Sequence, residues 1–452
     1  MRLNRTLLLV LLLIALLRLG LGAGLYWTSR EPTRQDALYQ VSHALLAPDA
    51  PRYHAAAELL ARYWRGEAPA FTPGLTPEYL GYPVILATLY YLVGPAFEAG
   101  LALNAISMLL ASLMAFHLAA RLGRGPAGAA WAALLVALWP PSLAYTLVLL
   151  KDASFLACLM GVLLLLTMAA QPRRGRDPWL AALLLAPPAW LAMTLRPDFM
   201  LLGLAAAGVA GVLGLAGALL DRRPVIALGV VAACLAVGLA AWAVRTYPLG
   251  PRLCTEQPRS AHSAAPRAVL PPRVSQPPAA RAAAPVPPRG IIHQAALDLW
   301  RTLWAKRWLY GATGAPSLSP ESLLIVDDAA SLGVALAAAL RDLLLFPYPW
   351  QRWPSAGGKL SWVITAQSLL WYALLPGLAW GLAVALRRRP RAALFLVFWL
   401  LGVGLALALI VVNLGTFYRM RDMIFLPLLA AVSLRPYASL WRWMRTGSWR
   451  LP

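Results

Sequence analysis

Acid is scarce in this sequence. Its 452 residues hold 18 Asp and Glu against 40 Lys and Arg, and charged residues of both signs make up only 13%. A water-soluble domain carries about 25% charged residues. With 60% of residues hydrophobic, there is too little polar surface to enclose the core in water. A soluble globular fold is therefore excluded, and lipid is the expected solvent. Cysteine is scarce too, at three residues. Cys158 and Cys234 sit inside apolar runs and only Cys254 lies in a polar stretch, so no disulfide is expected. Neither the cysteines nor the five histidines show the spacing of a metal-binding motif. The net charge of +22 would suit nucleic acid. The arginines, however, come in short clusters between apolar runs, the pattern of cytoplasmic loops under the positive-inside rule, and no nucleic-acid partner is expected.

What is abundant is long apolar sequence. Met-Arg-Leu-Asn-Arg5 precedes a run to about Trp27 that is long enough to cross a bilayer, so it reads as an uncleaved first helix. Arg18 in its outer half is expected to snorkel outward. Further runs at 98–120, 127–150, 153–170, 179–195, 199–220, 224–244, 361–386, 392–412 and 423–434 bring the total to about ten spans. The run 127–150 is interrupted by Pro140-Pro141. Gly81-Tyr-Pro-Val-Ile-Leu-Ala-Thr-Leu-Tyr-Tyr-Leu-Val-Gly94 is apolar but too short to cross, and reads as interfacial or re-entrant. If it did cross, every later loop would change sides and the basic clusters would fall outside.

The expected fold is all-α: a polytopic transmembrane helix bundle with juxtamembrane helices in two large outer loops. Residues 1–244 form an N-terminal transmembrane module whose first outer loop is 28–97. Residues 245–360 form the second outer loop, Pro-, Ala- and Arg-rich to Gly290 and then amphipathic at Ile291–Trp308 and Ser322–Phe346. Residues 361–452 form a C-terminal transmembrane module. The lipid bilayer is the first partner. The expected location is the inner or plasma membrane, multi-pass, with both termini cytoplasmic.

Charges beside lipid are costly and so are informative. The outer edge of this topology carries Asp49, Arg52, Glu78, Lys151, Asp152, Arg196, Asp198, Arg419 and Arg421. The stretch Ala47-Pro-Asp-Ala-Pro-Arg-Tyr-His54 is the densest. On a helix Asp49, Arg52 and Tyr53 share a face, with His54 and Glu58 beside it. Asp49 fits two roles there: an N-cap for the helix started by Pro51, or a base that takes a proton from a hydroxyl. Lys151-Asp152 reads as the polar end of a span or as a phosphate site. Arg196 reads as a snorkelling side chain paired with Asp198 or as a second phosphate ligand. Positive charge is disfavoured in outer loops, so Arg419 and Arg421 invite an anion. Tyr82, Tyr90 and Tyr91 read mainly as interfacial belt residues. Together the set describes a cavity that holds an anion beside a carboxylate.

Five matches in order resemble the GT-C superfamily of polytopic glycosyltransferases, in particular its family 39-like and aminoarabinose-transferase-like bacterial members. They are Pro48-Asp-Ala-Pro-Arg-Tyr-His54 after the first span, the Tyr-Pro element Gly81–Gly94, Trp139-Pro-Pro-Ser with Leu150-Lys-Asp152, Leu195-Arg-Pro197, and Gly415-Thr-Phe-Tyr-Arg-Met-Arg421. They cover about the first half of the chain and its last span. The resemblance implies a membrane enzyme that moves a sugar from a polyprenyl-phosphate-linked donor to a hydroxyl on a glycan, lipid or protein acceptor, on the extracytoplasmic face and usually with inversion. It implies Asp49 as the base. Lys151, Arg196, Arg419 and Arg421 are the candidates for the donor phosphate, and Arg52, Tyr53, His54, Glu78, Tyr82 and Asp152 for the rest of the substrate site. Many members carry a second acid soon after the first. Here His54 and Glu58 follow instead, so the use of a divalent metal ion stays open. The extracytoplasmic C-terminal domain usual in the family is not expected here, since little follows the last span. Two other functions fit the same chain. One is an O-antigen polymerase or ligase leaning on His262, His293 and arginines of the second loop. The other is a transporter, against which stands the lack of an internal repeat.

Cysteines introduced one at a time test the topology. Membrane-impermeant reagent should label positions near Ala70 and Ala279 in intact cells and leave a position near Gly175 unlabelled. Labelling near Gly175 would invert the assignment.

Overall fold

In the computed structural model the described residues are 4–29, 49–71, 80–197, 199–246, 329–346, 348, 358–410 and 414–446. They are helical throughout, with no strand among them. The helices are α1 (Arg5–Ser29), α2 (Ala50–Trp64), α3 (Gly81–Val93), α4 (Phe97–Arg121), α5 (Pro126–Leu138), α6 (Pro140–Leu147), α7 (Lys151–Ala170), α8 (Asp177–Leu195), α9 (Phe199–Leu220) and α10 (Pro224–Thr246). They continue as α11 (Ala329–Leu345), α12 (Gly358–Arg388), α13 (Pro390–Phe398), a π-helical turn (Trp399–Val403), α14 (Gly404–Ile410), α15 (Leu414–Leu429) and α16 (Arg435–Thr446). Eight helices among the described residues are long and apolar enough to cross a membrane. The chain is a multi-pass helical membrane protein.

Two of the ten expected spans differ. The run 127–150 is two helices, α5 and α6, broken at Trp139. The run 423–434 lies largely in α15, which has 16 residues and contains Pro427. The Gly81–Gly94 run forms a 13-residue helix, too short to count among the eight. Of the second outer loop, Ile291–Trp308 lies outside the described residues, while Ser322–Phe346 yields the helix from Ala329.

Packing divides the chain into two units. The first is Met1–Thr255, Arg352–Leu401 and Asp422–Pro452; the second is Glu256–Gln351 and Gly402–Arg421. In the first unit α7 is the most deeply buried span. It packs against α4, α8 and α9, while α10 lies along α8 and α9. Helix α9 shows how such packing is encoded. Its buried face is Gly203, Ala206, Ala207, Ala210, Gly211, Gly214, Gly217 and Ala218, at spacings of three and four, so neighbouring backbones come close. Its other face exposes Leu201, Val212, Leu219 and Leu220, which suit lipid. Helix α1 is peripheral, with Leu9, Leu13 and Leu16 more than half exposed. In the second unit α11 packs against α14, and Tyr348 donates to Asp342 Oδ1 at 2.8 Å.

The break at Trp139 follows from its prolines. In an uninterrupted helix the carbonyls of Val136 and Ala137 would accept from residues 140 and 141, but both are Pro and have no N–H. Ser142 Oγ lies 2.7 Å from Trp139 O and 3.2 Å from Val136 O, and Arg18 Nη2 donates to Ala137 O. Arg18 also donates to Ser142 O at 3.2 Å and to Ser142 Oγ at 3.0 Å. Arg18 is therefore buried, with 2% of its surface exposed, and does not snorkel. The orphaned carbonyls at the break supply the acceptors that water would otherwise have offered.

Arg18→Leu should lower stability by about 1–3 kcal/mol, the cost of leaving buried acceptors unpaired. Thermal unfolding of the purified protein in detergent measures this. An unchanged midpoint would show that the break is satisfied by other groups.

Candidate functional site

The candidate site is a buried polar layer of the first unit, assembled from the start of α2, the start of α3, the start of α4, the α6–α7 junction and the end of α8. Helix α2 begins as the sequence suggests, with Pro51 in its first turn. Asp49 occupies the N-cap position, but its side chain makes no capping hydrogen bond and its backbone is already helical, with φ −83° and ψ −19°. The cap role foreseen for it is not realised. Only its carbonyl works locally, accepting from Tyr53 N at 3.0 Å. Asp49 is half-buried and Arg52 exposed.

Tyr53 carries α2 into the core. It is buried and meets Tyr82 edge to face at 5.5 Å. Beside it His54 Nδ1 lies 2.7 Å from Tyr90 Oη, and the imidazole sits edge to face on Phe97 at 5.6 Å. Tyr82 and Tyr90 have no exposed surface, which takes both out of the lipid-facing belt; Tyr91, 48% exposed, fits it. Helix α3 seats Tyr82 by close approach: a Cβ at Gly81 would collide with the Thr194 carbonyl of α8. Tyr82 Oη donates to Asn104 Oδ1 at 3.1 Å, and Asn104 Nδ2 donates to Val148 O at 2.9 Å. Burial pushes the Tyr82 phenol far above its ordinary value, helped by the negative charge of neighbouring groups that include Asp152. Tyr90 is raised likewise, first by burial and then by neighbours that include Tyr26, Glu58 and Glu98. Both phenols stay neutral and able to donate.

Three residues beyond Val148 the chain enters α7 with Lys151 and Asp152, both buried. Arg196, where α8 ends, donates from Nη2 to Asp152 Oδ1, and its guanidinium lies 5.5 Å from the centre of the Phe155 ring. Arg196 therefore pairs inside the bundle instead of snorkelling, and Asp198 lies outside the described residues. The side chain of Arg196 is 13% exposed against 1% for Asp152, so the cation is the more open end of the pair. The three side chains bring two cations and one carboxylate into low-dielectric surroundings. That combination suits a further anion.

The remaining sequence candidates do not all join this layer. Glu78 and the side chain of Arg419 lie outside the described residues. Arg421 is buried and belongs to the second unit. Among the described residues no three of His, Cys, Asp and Glu come together as a metal site, and Cys158 and Cys234 are free thiols.

Two functional candidates are additions. Asn104 is the hinge of the polar layer; its signal in the sequence was a lone amide inside a 25-residue apolar helix. Asp422, fully buried, accepts from Trp139 Nε1 at 3.0 Å. Trp139 meets Trp371 edge to face at 6.3 Å, and Trp371 stacks on Phe425 at 3.8 Å. The Trp139-Pro-Pro motif thus both breaks a helix and carries an indole to a buried carboxylate. The chain matches no protein-family model, no curated protein and no solved structure.

Asp152→Asn deprives Arg196 of its buried carboxylate and should cost about 3–5 kcal/mol of stability. Arg196→Gln should do similar harm. The double variant should lose clearly less than the sum, because the pair fails as a unit. Denaturant unfolding in detergent reads the cycle; strict additivity would show the two residues to be uncoupled.

Proposed function

We propose that the chain is a membrane glycosyltransferase that moves a sugar from a polyprenyl-phosphate-linked donor to an acceptor hydroxyl on the extracytoplasmic face. The supporting observation is the polar layer itself. A helix that begins with a half-buried, uncapped carboxylate is docked through Tyr53 and Tyr82 onto hydrogen bonds that lead to a buried Lys–Asp–Arg cluster. On this reading Asp49 is the base and the Lys–Asp–Arg cluster the anion-holding group for an amphiphilic donor.

In this reaction Asp49 accepts the proton of the acceptor hydroxyl as that oxygen attacks the anomeric carbon. The bond from that carbon to the phosphate oxygen breaks, and its electron pair leaves with the polyprenyl phosphate. Attack from the face opposite the phosphate inverts the anomeric centre. The departing charge would be met by Arg196, the most open cation of the cluster, with Lys151 beside it. Asp152 holds the Arg196 guanidinium in place. Arg419 and Arg421 remain candidates for a donor phosphate on their sequence alone. Tyr82, hydrogen-bonded to Asn104 Oδ1, and Tyr90, hydrogen-bonded to His54 Nδ1, position the helices that carry the charges. The polymerase or ligase alternative leans on His262 and His293, which lie outside the described residues.

The missing cap bond sharpens the test of Asp49. Neither Asp49→Asn nor Asp49→Ala should lose the ~1 kcal/mol of a broken N-cap. Both should lose transfer by about 10²–10⁴-fold, as expected for a general base. The experiment compares sugar transfer from a polyprenyl-phosphate donor by the purified variants and wild type, with thermal stability measured on each. A folded variant transferring at the wild-type rate would remove Asp49 from the chemistry.

A further inference from the structure

Away from the polar layer, the first unit gathers arginines where its other helix ends meet. Arg121 pairs with Asp177 at 2.7 Å, Arg173 donates to Arg121 O at 3.1 Å, and Gln171 Oε1 accepts from Ala392 N at 3.1 Å. These contacts draw together the end of α4, the end of α7, the start of α8 and the start of α13. Beside them, a cavity of about 270 Å³ opens between the turn before α5, the end of α12 and the turn before α16. Arg124, Arg388 and Arg435 line it, and no carboxylate does.

Like charges at such a site repel. Arg124 donates from Nη2 to Ala431 O, while its Nε is buried without a hydrogen-bond partner. Burial lowers the proton affinity of its guanidinium, and the charges of Arg435 and Arg388 lower it further. An anion in the cavity would relieve all three. Helix α5 adds to the same polarity, because its N-cap is Gly125 with no side-chain cap, and Ala127 and Gly128 of its first turn line the cavity.

The rest of the cavity is built for an amphiphile. Trp131 and Leu434 share the lining and are 48% and 38% exposed, so an apolar wall stands beside the cationic one. Arg435 also begins α16, Arg-Pro-Tyr-Ala-Ser-Leu-Trp-Arg-Trp-Met-Arg-Thr446, whose Trp441 and Met444 are more than half exposed. Arg445 stacks over Trp441 at 4.6 Å. A short helix with arginines beside exposed Trp and Met suits a membrane interface, at the depth of lipid headgroups. A close helix contact fixes the walls of the cavity: Gly377 and Gly381 of α12 lie against Ser433 O and Ala431 O, where a Cβ would collide.

We propose that this cavity binds the phosphodiester headgroup of an anionic phospholipid, with Arg124, Arg388 and Arg435 on the phosphate and Trp131 along the first part of the acyl chains. The shared chemistry is an oxyanion, which inorganic phosphate also offers; the apolar wall selects the lipid.

Arg388 and Arg435 are exposed, so Arg388→Gln/Arg435→Gln should fold normally. The control is Arg222→Gln/Arg387→Gln, which removes the same charge from exposed positions outside the lining. Full-length protein in neutral detergent is titrated with phosphatidylglycerol, phosphatidylcholine or inorganic phosphate, and lipid retention is read by native mass spectrometry alongside thermal stability. Wild type and control should retain phosphatidylglycerol over phosphatidylcholine, and the lining variant should bind it roughly thirtyfold more weakly. Equal retention by the folded lining variant would overturn the site. Inorganic phosphate displacing phosphatidylglycerol or matching its stabilisation at equal concentration would overturn the lipid assignment.

Discussion

A polar group in a bilayer has no water to fall back on. That constraint explains more of this protein than its hydrophobic content does, since lipid tails are as apolar as leucine and give helices little reason to associate. What fixes helix against helix here is a small set of polar ties. Arg18 ties α1 to the α5–α6 break, Asn104 ties α4 to the approach to α7, Arg196 ties α8 to α7, and Trp139 ties the break to Asp422. Between the ties, small residues let backbones close up, as along the buried face of α9. The two devices are complementary: glycine and alanine set the distance, and the polar pairs set the register.

The polar layer has the same origin as these ties and a different consequence. Tyr53, Tyr82, Asn104, Lys151, Asp152 and Arg196 are more polar than stability of an apolar bundle requires. Desolvating ionised groups is costly even when they pair. Groups maintained at that cost, beside a helix that opens with an uncapped carboxylate, support the proposed chemistry as well as tying the helices together. The arginine-rich cavity differs in character. Its cations face one another with no acid in the lining, so its electrostatics favour an added anion rather than an internal pair.

Much of this was legible in the sequence, and the failures share a cause. The helical bundle, the short Gly81–Gly94 helix and the helix carrying Asp49, Tyr53 and His54 follow from run length and local spacing. The break at Pro140-Pro141 was visible as a break, but run length alone joined its halves into one span. Arg18 was read as snorkelling because its partner lies 124 residues away, at Ser142. For Arg196 the sequence offers only its neighbour Asp198, while the fold also supplies Asp152, 44 residues away. Of the two roles the sequence offers Asp49, the cap rests on Asp being a good N-cap, and the local backbone instead continues the helix through it. Local grammar reads local structure; polar partners chosen across the bundle are invisible to it.

The buried bond from Arg18 to Ala137 has a consequence for biogenesis. The N-terminal helix leaves the ribosome well before the carbonyls that will receive its guanidinium. During that interval a charge at mid-span costs about 2.5–3.5 kcal/mol, against roughly 0.3–0.6 kcal/mol gained from each leucine, isoleucine, phenylalanine or valine. The eleven leucines from Leu7 to Leu25 are enough to hold such a helix in the bilayer on their own. Their surplus in the finished fold, where many face lipid, is what a first helix needs if it must wait with an unmet charge for its partner to be synthesised.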